Sequence, residues 1–164
     1  MEHQKHLEIL SLLEADARLA PDQIAAMIGE TPAAVRTAVA ELEEQGMLLR
    51  YTALVDWEKA AADKVIAVID VKVHPQRDVG FDRLAQRIAR FAEVRSCYLM
   101  SGAYDLFVEV EAPTLKEVAR FVSERLSTME GVASTTTHFV LKRYKHDGVL
   151  FTGAEPDERL PVTP

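Results

Sequence analysis

Apolar residues recur through the first fifty positions at intervals of three and four, the spacing of a buried helix face. Leu7, Leu10 and Leu13, joined by Ile9 and Leu12, predict a first helix. A second starts at Pro21, carries Ile24, Met27 and Ile28 on one face and stops at Gly29, a residue suited to a helix C-terminus. Thr31-Pro32 reads as an N-cap followed by proline in the first turn, and opens a third helix with Val35, Val39 and Leu42 inward and its end at Gly46. Two short helices joined by a tight, glycine-bearing turn form a helix-turn-helix pattern. The run Met47–Asp56 is strand-like and predicts a wing or hinge ribbon.

After residue 63 the period changes to two. Val65, Ala67, Ile69, Val71 and Val73 share one side of a strand over Lys64–Val73; Ile66 and Val68 stand among Lys64, Asp70 and Lys72 on the other, so both faces are expected to be covered. A helical stripe follows over residues 80–91 (Phe81, Leu84, Ala85, Ile88, Phe91). Two strands, Val94–Met100 and Asp105–Glu111, are joined by Ser101-Gly102-Ala103-Tyr104. Thr114 and Glu117 form a capping box that opens a helix with Leu115, Val118, Ala119, Val122, Leu126 and Met129 aligned, closed by Gly131. A last strand, Val132 to Arg143, completes the order βαββαβ. The fold class is α+β: an N-terminal helix-turn-helix domain followed by a ferredoxin-like βαββαβ sandwich with both helices on one sheet face. The predicted divisions are residues 1–56, 57–146 and a C-terminal tail over 147–164. The uncovered sheet face would be an apolar patch, which predicts a face-to-face homodimer with an isologous interface.

Composition narrows the function. The chain has 164 residues, 48% of them hydrophobic, enough for one or two cores without covalent staples. A net charge of -7 argues against a non-specific nucleic-acid or membrane-surface binder. That charge is concentrated: residues 1–56 hold four basic and ten acidic residues, against fifteen and sixteen in the remainder. The single cysteine, Cys97, excludes an internal disulfide framework and reads as a small strand hydrophobe. No apolar run reaches the roughly 20 residues of a membrane span, and Met1–His6 has no signal-peptide pattern, so a cytoplasmic protein is expected.

Candidate chemistry is sparse. In a helix-turn-helix the start of the third helix faces the bases, which singles out Thr31, Ala33, Ala34, Arg36 and Thr37. Of these only Arg36 offers a charge-assisted, bidentate contact. Glu41, Glu43 and Glu44 lie on the same helix, and a three-helix bundle that serves packing alone, its glutamates a solvated face, fits the same pattern. His3 and His6 stand one helical turn apart but lack a third ligand nearby, and no metal, cofactor or catalytic residue is assigned. Trp57 is expected to anchor the segment between the domains. Phosphate-loop, nucleophile-elbow and zinc-protease strings are absent.

The order of elements, with Leu42-Glu43-Glu44-Gln45-Gly46-Met47-Leu48, Tyr51-Thr52-Ala53-Leu54-Val55-Asp56 and Cys97-Tyr98-Leu99-Met100-Ser101-Gly102-Ala103-Tyr104-Asp105, resembles the leucine-responsive regulatory protein (Lrp/AsnC) family over about residues 7–146. Thr137-His138-Phe139-Val140-Leu141-Lys142 is also similar to the family. The resemblance implies a transcription regulator that binds double-stranded DNA, senses an amino acid or similar small molecule, and assembles from homodimers into larger oligomers such as an octamer. It implies an effector site at Ser101, Gly102, Ala103, Tyr104 and Asp105, with Thr136 and His138 from the last strand of a neighbouring subunit. Backbone N–H groups near the glycine would hold a carboxylate and Asp105 an α-ammonium; the residues taken without the resemblance favour a plain hairpin turn, with Asp105 bonded to nearby backbone. The family usually places basic residues where this chain has Ala38 and Glu41. The tail around Glu155–Leu160 runs past the usual end. Two other readings accompany this one: a sensor whose helix-turn-helix is vestigial and acts through protein contacts, and a sirohaem-decarboxylase-like enzyme of the same architecture, against which the His-Asn-Tyr-x-Arg type string is missing.

Overall fold

The computed structural model describes residues 2–60, 62, 64–74 and 80–151. The chain divides into two compact units, Met1–Val55 and Asp56–Pro164.

The first unit holds α1 (Glu2–Ala15), α2 (Pro21–Ile28) and α3 (Pro32–Glu44). Their core is Ile9, Leu13, Ile24, Ala25, Val35 and Leu42. Helix periodicity located all of these except Ala25 but drew the stripes too wide: Leu7 is 47% and Met27 59% exposed, because three short helices close a core from one narrow face each. Gly29 at φ 70 ends α2 in the left-handed region that glycine tolerates best. Gly46 at φ 67 does the same beyond α3, and the amides of Met47 and Leu48 donate back to the carbonyl of Leu42. The expected ribbon over Met47–Asp56 does not form; these residues make no strand, since no segment of the described chain offers them a ladder partner.

The second unit holds β1 (Val65–Val73), α4 (Gly80–Ala89), β2 (Val94–Leu99), β3 (Leu106–Ala112), α5 (Leu115–Phe121), a π turn (Val122–Leu126) and β4 (Val132–Phe139). The sheet order is β2-β3-β1-β4, fully antiparallel, which is the ferredoxin-like arrangement. Ala67, Ile69 and Val71 of β1 and Leu106, Val108 and Val110 of β3 turn one face into a core shared with Leu84 and Ile88 of α4 and Val118 of α5. The second βαβ helix departs from the expected stripe. Its last turns widen to the spacing in which the Ser127 amide reaches the Val122 carbonyl, 2.8 Å. Before that point Phe121, three residues after Val118, is buried with it, while Leu115 is 56% exposed and Ala119 also exposed.

The last strand ends at Phe139, four residues before the expected Arg143. A short hairpin then pairs β5 (Lys145–His146) with β6 (Val149–Leu150), so the segment read as a tail from residue 147 begins as ordered structure. Asp147 and Gly148, both at positive φ, make its two-residue turn. The stretch Glu155–Leu160 lies outside the described residues.

Candidate functional sites

In the first unit the residues expected to face DNA are displayed unequally. Thr31 caps α3, its Oγ1 accepting the Ala34 N–H at 3.2 Å, and the Thr37 hydroxyl donates to the Ala33 carbonyl at 3.2 Å. Both hydroxyls are thereby engaged in their own helix. Ala33 and Ala34 are exposed but supply only methyl groups. Arg36 is the one side chain of the five that carries charge outward; it is 60% exposed, with Nη1 3.6 Å from Asp22 Oδ1 on α2.

A groove of about 390 Å³ runs along the α1 side of α3, where Lys5, His6 and Glu30 face Ala34, Thr37 and Glu41. Lys5 pairs with Glu30, and His6 Nε2 lies 3.9 Å from Glu41 Oε2. At the far end of α3 the Tyr51 hydroxyl donates to Glu43 Oε1 at 2.9 Å. Burial, and then the Glu43 carboxylate beside it, push this phenol above its ordinary pKa. Tyr51 thus holds the segment after α3 against the helix, a contact that sequence pattern did not reveal.

In the second unit the turn Ser101–Asp105 joins β2 to β3. The Met100 amide donates to the Asp105 carbonyl at 2.8 Å and the Asp105 amide to the Val71 carbonyl at 3.0 Å. The intervening amides of Ser101, Gly102, Ala103 and Tyr104 make no hydrogen bond among the described residues. They remain available to an anionic group. Gly102 has open space where a Cβ would stand and no positive φ, so the turn does not itself require glycine. Asp105 is partly committed: Oδ2 accepts the Val73 N–H at 2.8 Å, closing the end of β1.

Thr136 and His138 sit on the sheet face away from the helices. The register sets Thr136 opposite Asp70 and His138 opposite Val68. His138 Nε2 reaches diagonally to Asp70 Oδ2 at 3.1 Å. Asp70 was not singled out from sequence, although a carboxylate at an outward position of a Val/Ile strand was a visible signal. The turn binds β1 at Val71 and Val73, and His138 lies opposite Val68. Within one chain the two groups are therefore roughly 10–16 Å apart along the strand at about 3.3 Å per residue. One subunit does not bring them together. Tyr98 and Phe107, rings 6.0 Å apart, share the outward face with Ile66 and Val68.

The sequence model of the winged helix-turn-helix DNA-binding domain matches residues 2–48, and that of the Lrp/AsnC ligand binding domain matches residues 66–150. The HTH-type transcriptional regulator YugG of Bacillus subtilis is 48% identical over 162 residues, covering 98% of both chains. The chain belongs to the Lrp/AsnC family. Among solved structures, the leucine response regulatory protein of Mycobacterium tuberculosis shares the fold at TM-score 0.72 and 22% identity, over 87% of this chain and 94% of that one. A Neisseria meningitidis transcriptional regulator, solved as a complex with L-Met, shares it at TM-score 0.67 and 24% identity, over 87% and 91%. In Lrp/AsnC terms, the first unit is the DNA-binding part and the second the ligand-binding part. No helix among the described residues is long and apolar enough to cross a membrane.

Proposed function

We propose that this Lrp/AsnC protein is a cytoplasmic, non-enzymatic transcription regulator that reads duplex DNA with α3 and alters that binding when an amino acid or related small molecule occupies the Ser101–Asp105 turn. The observation that carries the reading is the ordered match of a DNA-binding and a ligand-binding model to one chain that is collinear with a transcriptional regulator at 48% identity. Arg36 is the base-reading residue; Thr31 and Thr37 hold the helix end and Ala33 and Ala34 allow close approach. The free amides of the turn receive the effector's carboxylate, the uncommitted oxygen of Asp105 its ammonium group, and Thr136 and His138 of a neighbouring subunit close the site. The L-Met complex of the Neisseria meningitidis regulator supports an amino acid as the ligand class.

Assembly follows from the outward sheet face. Ile66, Val68, Tyr98 and Phe107 give it an apolar surface that a second copy covers, and dimers join further so that a turn meets the last strand of a neighbour. Light scattering on the purified protein at micromolar concentration is expected to give a dimer or larger; a monomer sinks this part of the reading. For DNA, genome-wide recovery of bound fragments at physiological salt is expected to return enriched sites. Arg36→Ala should weaken binding to such a site by roughly 1–3 kcal/mol if it reads a guanine. A second reading, with the helix-turn-helix acting through protein contacts, is favoured by the acidity of residues 1–56; absence of any enriched site would install it in place of the first. Thermal shifts with each proteinogenic L-amino acid identify the effector, because a ligand specific to the folded state raises the melting temperature.

A further inference from the structure

The arginines and lysines divide into paired and unpaired groups, and the division does not follow the DNA-binding unit. In the first unit Lys5 pairs with Glu30, Arg18 with Asp16 at 3.1 Å and Arg36 with Asp22 at 3.6 Å, while Arg50 makes no ion pair among the described residues. On α4 the situation is reversed. Arg83 and Arg87 stand one turn apart, and Arg90 follows in the turn that closes the helix; all three are exposed. None of them has a carboxylate within ion-pair distance among the described residues. Asp82 is the one acidic residue of α4, and the neighbouring Glu93 is already held by Arg125 at 2.7 Å. Leu84 and Ile88, 7% and 0% exposed, pin the opposite side of the helix to the core, so the row is carried on a rigid element.

We propose that this arginine row is a second DNA contact, one that grips the phosphodiester backbone without reading sequence. It rests on the reading of the protein as a DNA-binding regulator. Planar guanidinium forks match phosphate oxygens, and seven residues of helix spread them over about 10 Å. The exposed neighbours are Asp82, Gln86 and Ala89, and no large exposed apolar residue lies on α4. A protein interface would place an aromatic or aliphatic anchor at its centre, and a membrane-seeking helix would carry an apolar face toward the lipid. The row has neither. Residues 1–56 carry ten acidic against four basic residues, so phosphate neutralisation must be supplied largely from outside them.

The test uses the full chain and a mixed-sequence duplex of roughly 150 base pairs, about one persistence length of DNA, with affinity read by fluorescence anisotropy across a salt series. Each neutralised phosphate contributes about 0.9 to the slope of log affinity against log salt. The variant Arg83→Gln/Arg87→Gln/Arg90→Gln is expected to bind more weakly at low salt and to lose about 2–3 from that slope per engaged subunit, whereas Arg36→Ala loses about 1. Wild-type slope and affinity in the triple variant overturn the proposal while leaving the regulator reading intact. A wild-type protein without affinity for any duplex overturns both. Should the glutamine variant melt or assemble differently, the charge-retaining Arg83→Lys/Arg87→Lys/Arg90→Lys variant decides: recovery of the slope supports the row, and loss in both variants overturns it. Lowered affinity for phosphatidylglycerol vesicles with an unchanged DNA slope overturns it in favour of a membrane contact.

Discussion

The helix-turn-helix unit and the ligand-binding unit reach stability by different routes. Six residues form the core of the first, two of them, Ala25 and Val35, with side chains no larger than that of valine. Thirteen form the core of the second, ordered by a four-stranded sheet with two helices packed on it. The smaller unit depends on few contacts, so each carries a larger share of its stability. The difference can be broken by deleting one leucine from each core. Leu42→Ala and Leu106→Ala, both at fully buried positions, should each cost about 2–5 kcal/mol. At about 0.05–0.15 kcal/mol per residue, a unit of this size has roughly 3–8 kcal/mol to lose and one twice as long has more. Leu42→Ala should therefore unfold the first unit near physiological temperature and abolish binding at α3, with the sheet unit still folded. Leu106→Ala should only lower a melting temperature. Far-ultraviolet circular dichroism melts check this, and the comparison fails if Leu106→Ala loses more helical signal at 37 °C than Leu42→Ala.

Helix caps sharpen the comparison at a smaller scale. Thr31 and Thr114 make the same bond, each side chain accepting a backbone N–H at 3.2 Å. Thr114 is reinforced by Glu117, whose Oε2 accepts its hydroxyl at 3.4 Å, while Thr31 has no such reciprocal partner. Replacing either with alanine should cost about 0.5–2 kcal/mol, read as a shift of the urea midpoint. The midpoint for the first unit should move further, because the same loss falls on a smaller denaturant dependence. Equal shifts would mean that the two units do not unfold separately.

Sequence reading served the two units unequally for related reasons. Strand alternation located β1 and β3 with little error, since a period of two leaves each residue only two faces to choose between. Helical stripes were drawn too broadly at Leu7, Met27 and Leu115, because periodicity gives a direction and not the width of the surface that covers it. Phe121 was missed because the stripe was drawn through Ala119 and Val122, whereas the buried side of the helix runs from Val118 to Phe121. The ribbon over Met47–Asp56 was read from β-propensity, which says nothing about whether a pairing strand exists. Of the candidate sites, Arg36 was singled out by its place at the start of the third helix and the Ser101–Asp105 turn by the family resemblance. Their commitments were not legible: the engagement of Asp105 with Val73, of His138 with Asp70, and of Tyr51 with Glu43 are contacts between segments distant in sequence or across a turn.

Electrostatics separate the units least, and only toward acid. Burial alone would raise the pKa of Glu111 on β3, but Arg95 and Lys64, bonded to its Oε1 at 2.8 and 2.7 Å, outweigh this and hold the carboxyl below its ordinary value. A carboxyl with a depressed folded pKa adds stability above its unfolded pKa of about 4.3. That stability is lost as pH falls through the folded value. Glu111→Gln should therefore lower the melting temperature at pH 7, by an amount that shrinks as pH falls below the ordinary carboxylate range and Glu111 takes up its proton. Arg95 is 52% exposed, so solvent screening keeps the pair within the range of about 0–1 kcal/mol seen for surface pairs. In the helix-turn-helix unit, hydrogen bonds from the Arg18 side chain and backbone likewise hold Asp16 low, but the pair lies at the surface, and Asp16→Asn should leave the melt unchanged over the same pH range. A deficit in Glu111→Gln that stays undiminished as pH is lowered through and below the ordinary carboxylate range would assign its effect to lost packing beside β1, and the electrostatic contrast between the units would disappear.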